Sequence, residues 1–204
     1  MRWIVYCIVI IAVSTCPASW ARTDQTGPDD SKPAPSNVPG AEYPRIHSDL
    51  RVTFRLEAPQ AQKVLVHLPD KDYEMTRDQR GFWSVTTPPL VPGFHYYWFV
   101  LDGAKVCDPG SETFFGWGRQ CSGIEVPEPG VDFYLPKDVA HGEIRERWYF
   151  SKITGAWRRV FVYTPPDYDT NRAARYPVLY LQHGAGEDER GWVAQGRVSH
   201  IMDT

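Results

Sequence analysis

The sequence has 204 residues, with 22 Lys and Arg against 25 Asp and Glu, a formal charge of -3, and 42% hydrophobic and 14% aromatic residues. Near-balanced charge without a block of Lys or Arg gives no electrostatic footprint for a nucleic-acid partner, so none is expected. The length allows one large domain, or a smaller domain and part of another. Eight Trp, eleven Tyr and 18 Pro favour short strands and turns, and hence a β-rich chain.

At the N-terminus, Arg2 precedes an apolar run from Trp3 to Val13 and then small residues ending in Ser19, Trp20 and Ala21. That is the layout of a secretory signal over residues 1–21, cleaved after Ala21, and it predicts a secreted or periplasmic protein. A membrane anchor is the alternative, but the run falls short of the ~20 apolar residues a spanning helix needs. No stable membrane insertion is expected after cleavage. Export would remove Cys7 and Cys16 and leave Cys107 and Cys121. An even pair in an oxidising compartment suggests a disulfide, worth ~3 kcal/mol by loop entropy, with two free thiols as the alternative. The six His are scattered singly, and two Cys so far apart do not make a zinc cluster. Neither a metal site nor a cofactor is expected.

Residues 22–42, beginning RTDQTGPDDSKPAPSNVPG, contain almost no large apolar side chain, and composition of this kind reads as an unfolded linker. Strand signals then run from 43 to 130. Leu50, Val52, Phe54 and Leu56 alternate with polar residues, and the period repeats from Lys63 to Leu68, which puts the apolar set on one face of each strand. Further strands are expected at Phe82 to Thr86 and Phe94 to Leu101, at Ala104 to Cys107 after the Asp102-Gly103 turn, and at Ile124 to Val126. His67 and His95 read as ordinary strand residues. Short strands at this spacing suggest an antiparallel sandwich.

The string GFWSVTTPPLVPGFHYYWFVLDGAKVCDPGS resembles the immunoglobulin-like, carbohydrate-module-type domains of the glycogen-branching-enzyme N-terminal class. The resemblance rests on Gly81-Phe82-Trp83, Pro92-Gly93, Tyr96-Tyr97, Phe99, Asp102-Gly103 and Asp108-Pro109. It implies a β-sandwich over 43–130, but not sugar binding, because many such domains act as spacers or lids. Exposed aromatics, with Trp83 and Trp117 as the candidates and Trp98 considered beside them, would be the glycan contacts.

Beyond Val139 the pattern changes. Ile144 to Phe150 and Trp157 to Tyr163 read as two strands of a hairpin around Thr154-Gly155. Tyr176 to Leu181 is a short continuous apolar run that suits a buried strand of a sheet covered on both faces. Trp192 to Asp203 has weak helical character. The stretch RRVFVYTPPDYDTNRAARYPVLYLQHGAGEDERGW resembles the opening of the α/β-hydrolase esterases that include enterochelin, feruloyl and acetyl xylan esterases and mycolyltransferases. The carrying residues are Val162 to Tyr168, Tyr176 to Leu181 and His183-Gly184-Ala185-Gly186. Gly191-Trp192, Gln195-Gly196-Arg197 and Ile201-Met202-Asp203 extend the likeness towards the feruloyl-esterase branch.

Attack on an ester carbonyl creates an oxyanion that needs fixed N–H donors where its charge develops. The resemblance implies that His183, Gly184, Ala185 and Gly186 form the oxyanion loop, with the Ala185 N–H as one donor. In that fold the general base comes last in the chain, so His183 shapes the loop. The nucleophile would sit on a GxSxG elbow. Ser84, Ser111, Ser122, Ser151 and Ser199 all lack it, so nucleophile, acid and base are expected beyond residue 204. Glu187, Asp188, Glu189, Glu143 and Glu146 read as solvated charges.

The expected fold class is mostly β: an immunoglobulin-like sandwich followed, over 140–204, by the truncated start of an α/β-hydrolase domain. The expected function is that of a fragment, itself inactive, of a secreted serine esterase acting on feruloyl or acetyl esters of glycans. A glycan-binding accessory module and a siderophore esterase remain alternatives.

Overall fold

The computed structural model describes residues 29–204; the expected signal over residues 1–21 lies outside them. The chain is mostly β and antiparallel. Its strands are β1 (Lys32–Pro33), β2 (Arg45–Ile46), β3 (Val52–Glu57), β4 (Val64–Leu68), β5 (Lys71–Glu74), β6 (Thr76–Arg77), β7 (Phe82–Thr86), β8 (Gly93–Leu101), β9 (Ala104–Val106), β10 (Thr113–Gly116), β11 (Arg119–Val126), β12 (Glu143–Ser151) and β13 (Ala156–Thr164). Among the described residues there is one short helix, α1, at Val198–Asp203.

Alternation decides which way each strand faces. Val52 and Phe54 of β3, Val64, Val66 and Leu68 of β4, Tyr97 and Phe99 of β8, and Ile124 and Val126 of β11 are buried together in one apolar cluster. They come from two sheets, ordered β1-β2-β3-β7-β6 and β10-β11-β8-β4-β5, with β9 alongside β8. The sheets therefore share one core, in which a fully buried Val, Leu or Phe contributes ~1.5–3 kcal/mol. Trp83 belongs to this core: it is 7% exposed, and its indole N–H donates to Ala58 O at 2.9 Å. That overturns its candidacy as a glycan contact, because β7 turns the ring towards the facing sheet.

A buried polar knot lies beside the core. The Asp108 carboxylate accepts the Tyr97 hydroxyl at 2.6 Å and the Gly110 N–H at 2.7 Å, while the Asp108 N–H donates to Ser122 Oγ at 2.7 Å. Burial pushes the Asp108 carboxyl above its ordinary range, and pushes the Tyr97 hydroxyl up as well.

Three expectations need correction. The segment read as a linker is structured from about residue 31: β1 pairs with β2, Ala34 is buried, and Asn37 Nδ2 donates to Ala41 O and Pro44 O. Arg45 grips Ser31 through both its carbonyl and its hydroxyl. Backbone pairing and side-chain bonds order this segment, so a scarcity of large apolar residues does not prevent it. Among the described residues, Cys107 and Cys121 are free thiols. Cys121 Sγ lies 3.2 Å from Gly116 O and Cys107 Sγ 3.5 Å from Gln120 O, so each thiol faces a carbonyl and the expected bridge is not formed.

The third correction concerns residues 176–181, which form no strand among the described residues. Val178, Leu179 and Tyr180 are 71%, 64% and 89% exposed. An apolar run becomes a buried strand only where neighbouring strands accept its ladder bonds, and among the described residues β12 and β13 pair only with each other. The expected hairpin is formed by that pair, with Trp148 opposite Arg159 and Phe150 opposite Trp157. The expected helix is shortened to α1, since residues 191–196 form successive turns and Arg197 takes a left-handed conformation with φ 48°.

Candidate functional site

β8 places alternate residues on opposite faces, so Phe94 and Tyr96 lie on the outside of the larger sheet while Tyr97 and Phe99 enter the core. Phe94 meets Phe114 and Tyr96 edge to face, with ring centroids 5.0 and 5.1 Å away. Gly116 makes room for the Tyr96 ring, because a Cβ there would stand 2.4 Å from Tyr96 Cζ. The segment from 184 to 197 covers this outer face.

The His183-Gly184-Ala185-Gly186 loop is attached to the sheet at two points. The Gly184 N–H donates to Glu187 Oε2 at 3.0 Å, and Glu187 Oε1 accepts the Tyr96 hydroxyl at 2.6 Å. Gln195 Nε2 donates to the same Tyr96 oxygen at 2.5 Å. Two residues along, Gly186 O accepts the Gly118 N–H at 2.7 Å. Gly186 has φ +80°, and a Cβ on it would meet Gly118 N and Trp117 Cα at 3.1 Å. Both the left-handed conformation and the close approach require glycine.

Ala185 lies between these anchors. It is exposed, and its N–H donates to no acceptor among the described residues. His183 Nδ1 lies 2.9 Å from Gly184 O, so that nitrogen carries the proton in the bond and the ring braces the loop. Trp192 Nε1 donates to Gln182 O at 3.0 Å and supports the loop from behind.

Glu187 does not behave as a solvated charge. Burial raises its carboxyl pKa, but the bonds from Tyr96 and Gly184 outweigh that and hold it below its ordinary value. The Tyr96 hydroxyl is pushed well up, by burial first and then by its bond to Glu187. No local sequence signal marks this pair, because the partners are 91 residues apart. Other acids do engage neighbours at the surface: Glu189 with Arg159 at 2.6 Å, Asp188 with Arg190 at 2.6 Å and Glu143 with Arg145 at 3.1 Å. Glu146 accepts the Trp148 indole N–H at 2.9 Å.

The remaining aromatic candidates diverge. Trp117 is 57% exposed in the β10–β11 turn, with φ 55°, next to Gly186. Trp98 is buried, stacked on His67 at 4.1 Å and flanked by Lys105 and Arg119. Away from the loop, His141, His200 and Asp203 bring potential ligand atoms within 4.8 Å of one another. The Asp203 carboxylate is already engaged there by His141 Nδ1, the Gly142 N–H and the Tyr163 hydroxyl, at 2.7, 2.8 and 2.8 Å.

No family model matches the chain. It is 43% identical over 183 residues to an endo-1,4-beta-xylanase/feruloyl esterase of Xylanibacter ruminicola, an alignment covering 86% of this chain and 25% of that protein. It is also 36% identical over 61 residues to a malto-oligosyltrehalose trehalohydrolase of Saccharolobus solfataricus, covering 29% of this chain and 11% of that one. Among solved structures, the enterobactin esterase of Shigella flexneri aligns with a TM-score of 0.42 at 19% identity, over 54% of this chain and 39% of that one. The chain thus has an esterase-like relationship, carried by the 43% match. It spans about a quarter of that relative's length.

Proposed function

We propose that the chain is the leading part of an exported serine esterase that hydrolyses carboxylic esters through an acyl-enzyme. The Ala185 N–H is one oxyanion donor, and the nucleophile, acid and base come from sequence after Thr204. The substrates are feruloyl or acetyl esters on glycans. The sandwich is of the immunoglobulin-like, carbohydrate-module type. One observation carries this reading: an N–H without an acceptor among the described residues, at Ala185, between two anchored glycines, in a chain that is 43% identical over 183 residues to a protein named for feruloyl esterase activity. An oxyanion donor must be free of other partners and rigidly placed. Here the free N–H belongs to a turn whose flanking residues are both tied down.

The esterase acts on its own account, and the exposed Trp117 adds a glycan contact at the rim of the loop, since a free aromatic face can stack on a sugar ring. The test is hydrolysis of methyl ferulate and nitrophenyl acetate by the protein extended through its downstream reading frame, beside the 204-residue chain. Turnover by the extended protein, abolished by replacing the Ser of a downstream GxSxG, supports the proposal. Turnover at enzymatic rates by the 204-residue chain, or a downstream sequence without that Ser, overturns it. Calorimetry with xylan, comparing the wild type with Trp117→Ala, addresses the glycan contact separately.

A further inference from the structure

We propose that the sandwich is the mount of the oxyanion loop, and that Tyr96 and Glu187 are positioning residues for the ester-hydrolysing site. The catalytic consequence rests on the esterase reading; the mechanical claim rests on geometry alone. Contacts between an accessory domain and its neighbour usually spread over many side chains. Here two of them converge on the backbone on either side of Ala185. Glu187 uses one carboxylate oxygen for the Gly184 N–H and the other for the Tyr96 hydroxyl, so a single side chain joins β8 to the loop. The Gly118 N–H holds Gly186 O from the β10–β11 turn. Ala185 is therefore the one residue of the turn left without a backbone anchor, and the direction of its N–H is set by both neighbours.

The charge state of Glu187 matters to this arrangement. A carboxylate accepts at both oxygens, whereas a Gln in its place offers one acceptor and one donor. With its amide oxygen on the Gly184 N–H, a Gln would turn its amide nitrogen to the Tyr96 hydroxyl and reverse that bond, so the Tyr96 oxygen would have to accept from it as well as from Gln195. Glu187→Gln therefore replaces a charge-assisted relay by a weaker neutral one with little change of shape, and Tyr96→Phe breaks it from the sheet side while keeping the ring over Gly116.

Two readouts test the proposal. Amide exchange of the 204-residue chain, followed residue by residue, should show protection of the Gly184 N–H falling on the order of tenfold in both variants, the scale of a charge-assisted bond. Core amides such as those of Val66 and Phe99 should stay unchanged. Full protection of Gly184 in both variants would overturn the tether. In the extended protein, both variants should lower kcat roughly tenfold to a hundredfold with little change in KM, as expected when only transition-state geometry is disturbed. Loosened exchange with unchanged kcat would overturn the positioning role. If the extended wild type hydrolyses no ester, the esterase reading fails, and exchange still decides the tether. Tyr96→Phe guards against a variant that loses the loop altogether, since it leaves every loop residue in place.

Discussion

The sandwich and the segment from residue 140 onwards are held together by different forces. Val52, Phe54, Val64, Val66, Tyr97, Phe99, Ile124 and Val126 are all at 0% exposure, whereas the buried hydrophobic set beyond residue 130 contains Val198. Past that point large apolar side chains face outward, with Trp157 at 66% and Tyr180 at 89% exposure. What holds the later segment is polar: Tyr96 to Glu187 and Gly118 to Gly186 join it to the sandwich, and Arg159 to Glu189 and the bonds around Asp203 tie it internally. Apolar burial scales with area and is insensitive to charge state. Hydrogen bonds to carboxylates depend on geometry and on protonation, so the two regions should answer different perturbations.

The largest difference should come from core truncation. Phe54→Ala is expected to cost ~3–5 kcal/mol, measured as a lowered denaturant midpoint, while Trp157→Ala on the exposed hairpin should change stability by no more than ~0.5 kcal/mol. Equal effects would mean that the hairpin has cover which this arrangement does not provide. Next in size, Gly186→Ala combines a left-handed φ with a close contact on Trp117 and Gly118. It should weaken docking of the loop by ~1–3 kcal/mol. The expected sign is faster limited proteolysis within residues 176–197, with the melting of the sandwich unchanged.

Acid should separate the regions further. The Glu187 and Asp203 carboxyls are held below their ordinary values, in each case because hydrogen bonds outweigh the opposing effect of burial. Their stabilisation is complete above the ordinary carboxylate range, near 4, and is lost as pH falls through the depressed folded values. Asp108 in the sandwich is shifted upward by burial. Its contribution is complete below the unfolded value and declines as pH rises through the folded one, so acid does not weaken it. Exchange measured from pH 6 downwards should show the loop opening before the sandwich core, and simultaneous loss would contradict this assignment. The smallest effect is expected at Trp117→Ala, which should leave stability within ~0.5 kcal/mol and alter glycan binding only.

The strands at Phe82–Thr86, Val64–Leu68 and β12–β13 were legible because alternation with a period of two is a local property of the chain. β10 was not anticipated, since its hairpin turns at Trp117-Gly118 without an Asn-Gly or Asp-Gly signal. The ordered stretch from 31 to 42 was hidden because backbone pairing and Arg45, rather than hydrophobicity, secure it. Residues 176–181 misled in the opposite direction: they have a strand's composition but no neighbour to pair with.

For the site, the His183-Gly184-Ala185-Gly186 loop was visible in the sequence because small residues after an apolar run have a recognisable pattern. Its attachment was not, and neither was the burial that moved Trp83 from candidate ligand contact to core. The sequence by itself determined the core strands that alternate with a period of two, the hairpin of β12 with β13 and the small-residue chemistry of the loop, all of which depend on near neighbours along the chain. Only the tertiary structure decided that Tyr96, on the outward face of a strand 91 residues away, reaches Glu187. A hydrogen bond needs two partners within about 3 Å in the right direction, and long-range closeness of that kind is set by packing the sheet, not by local pattern.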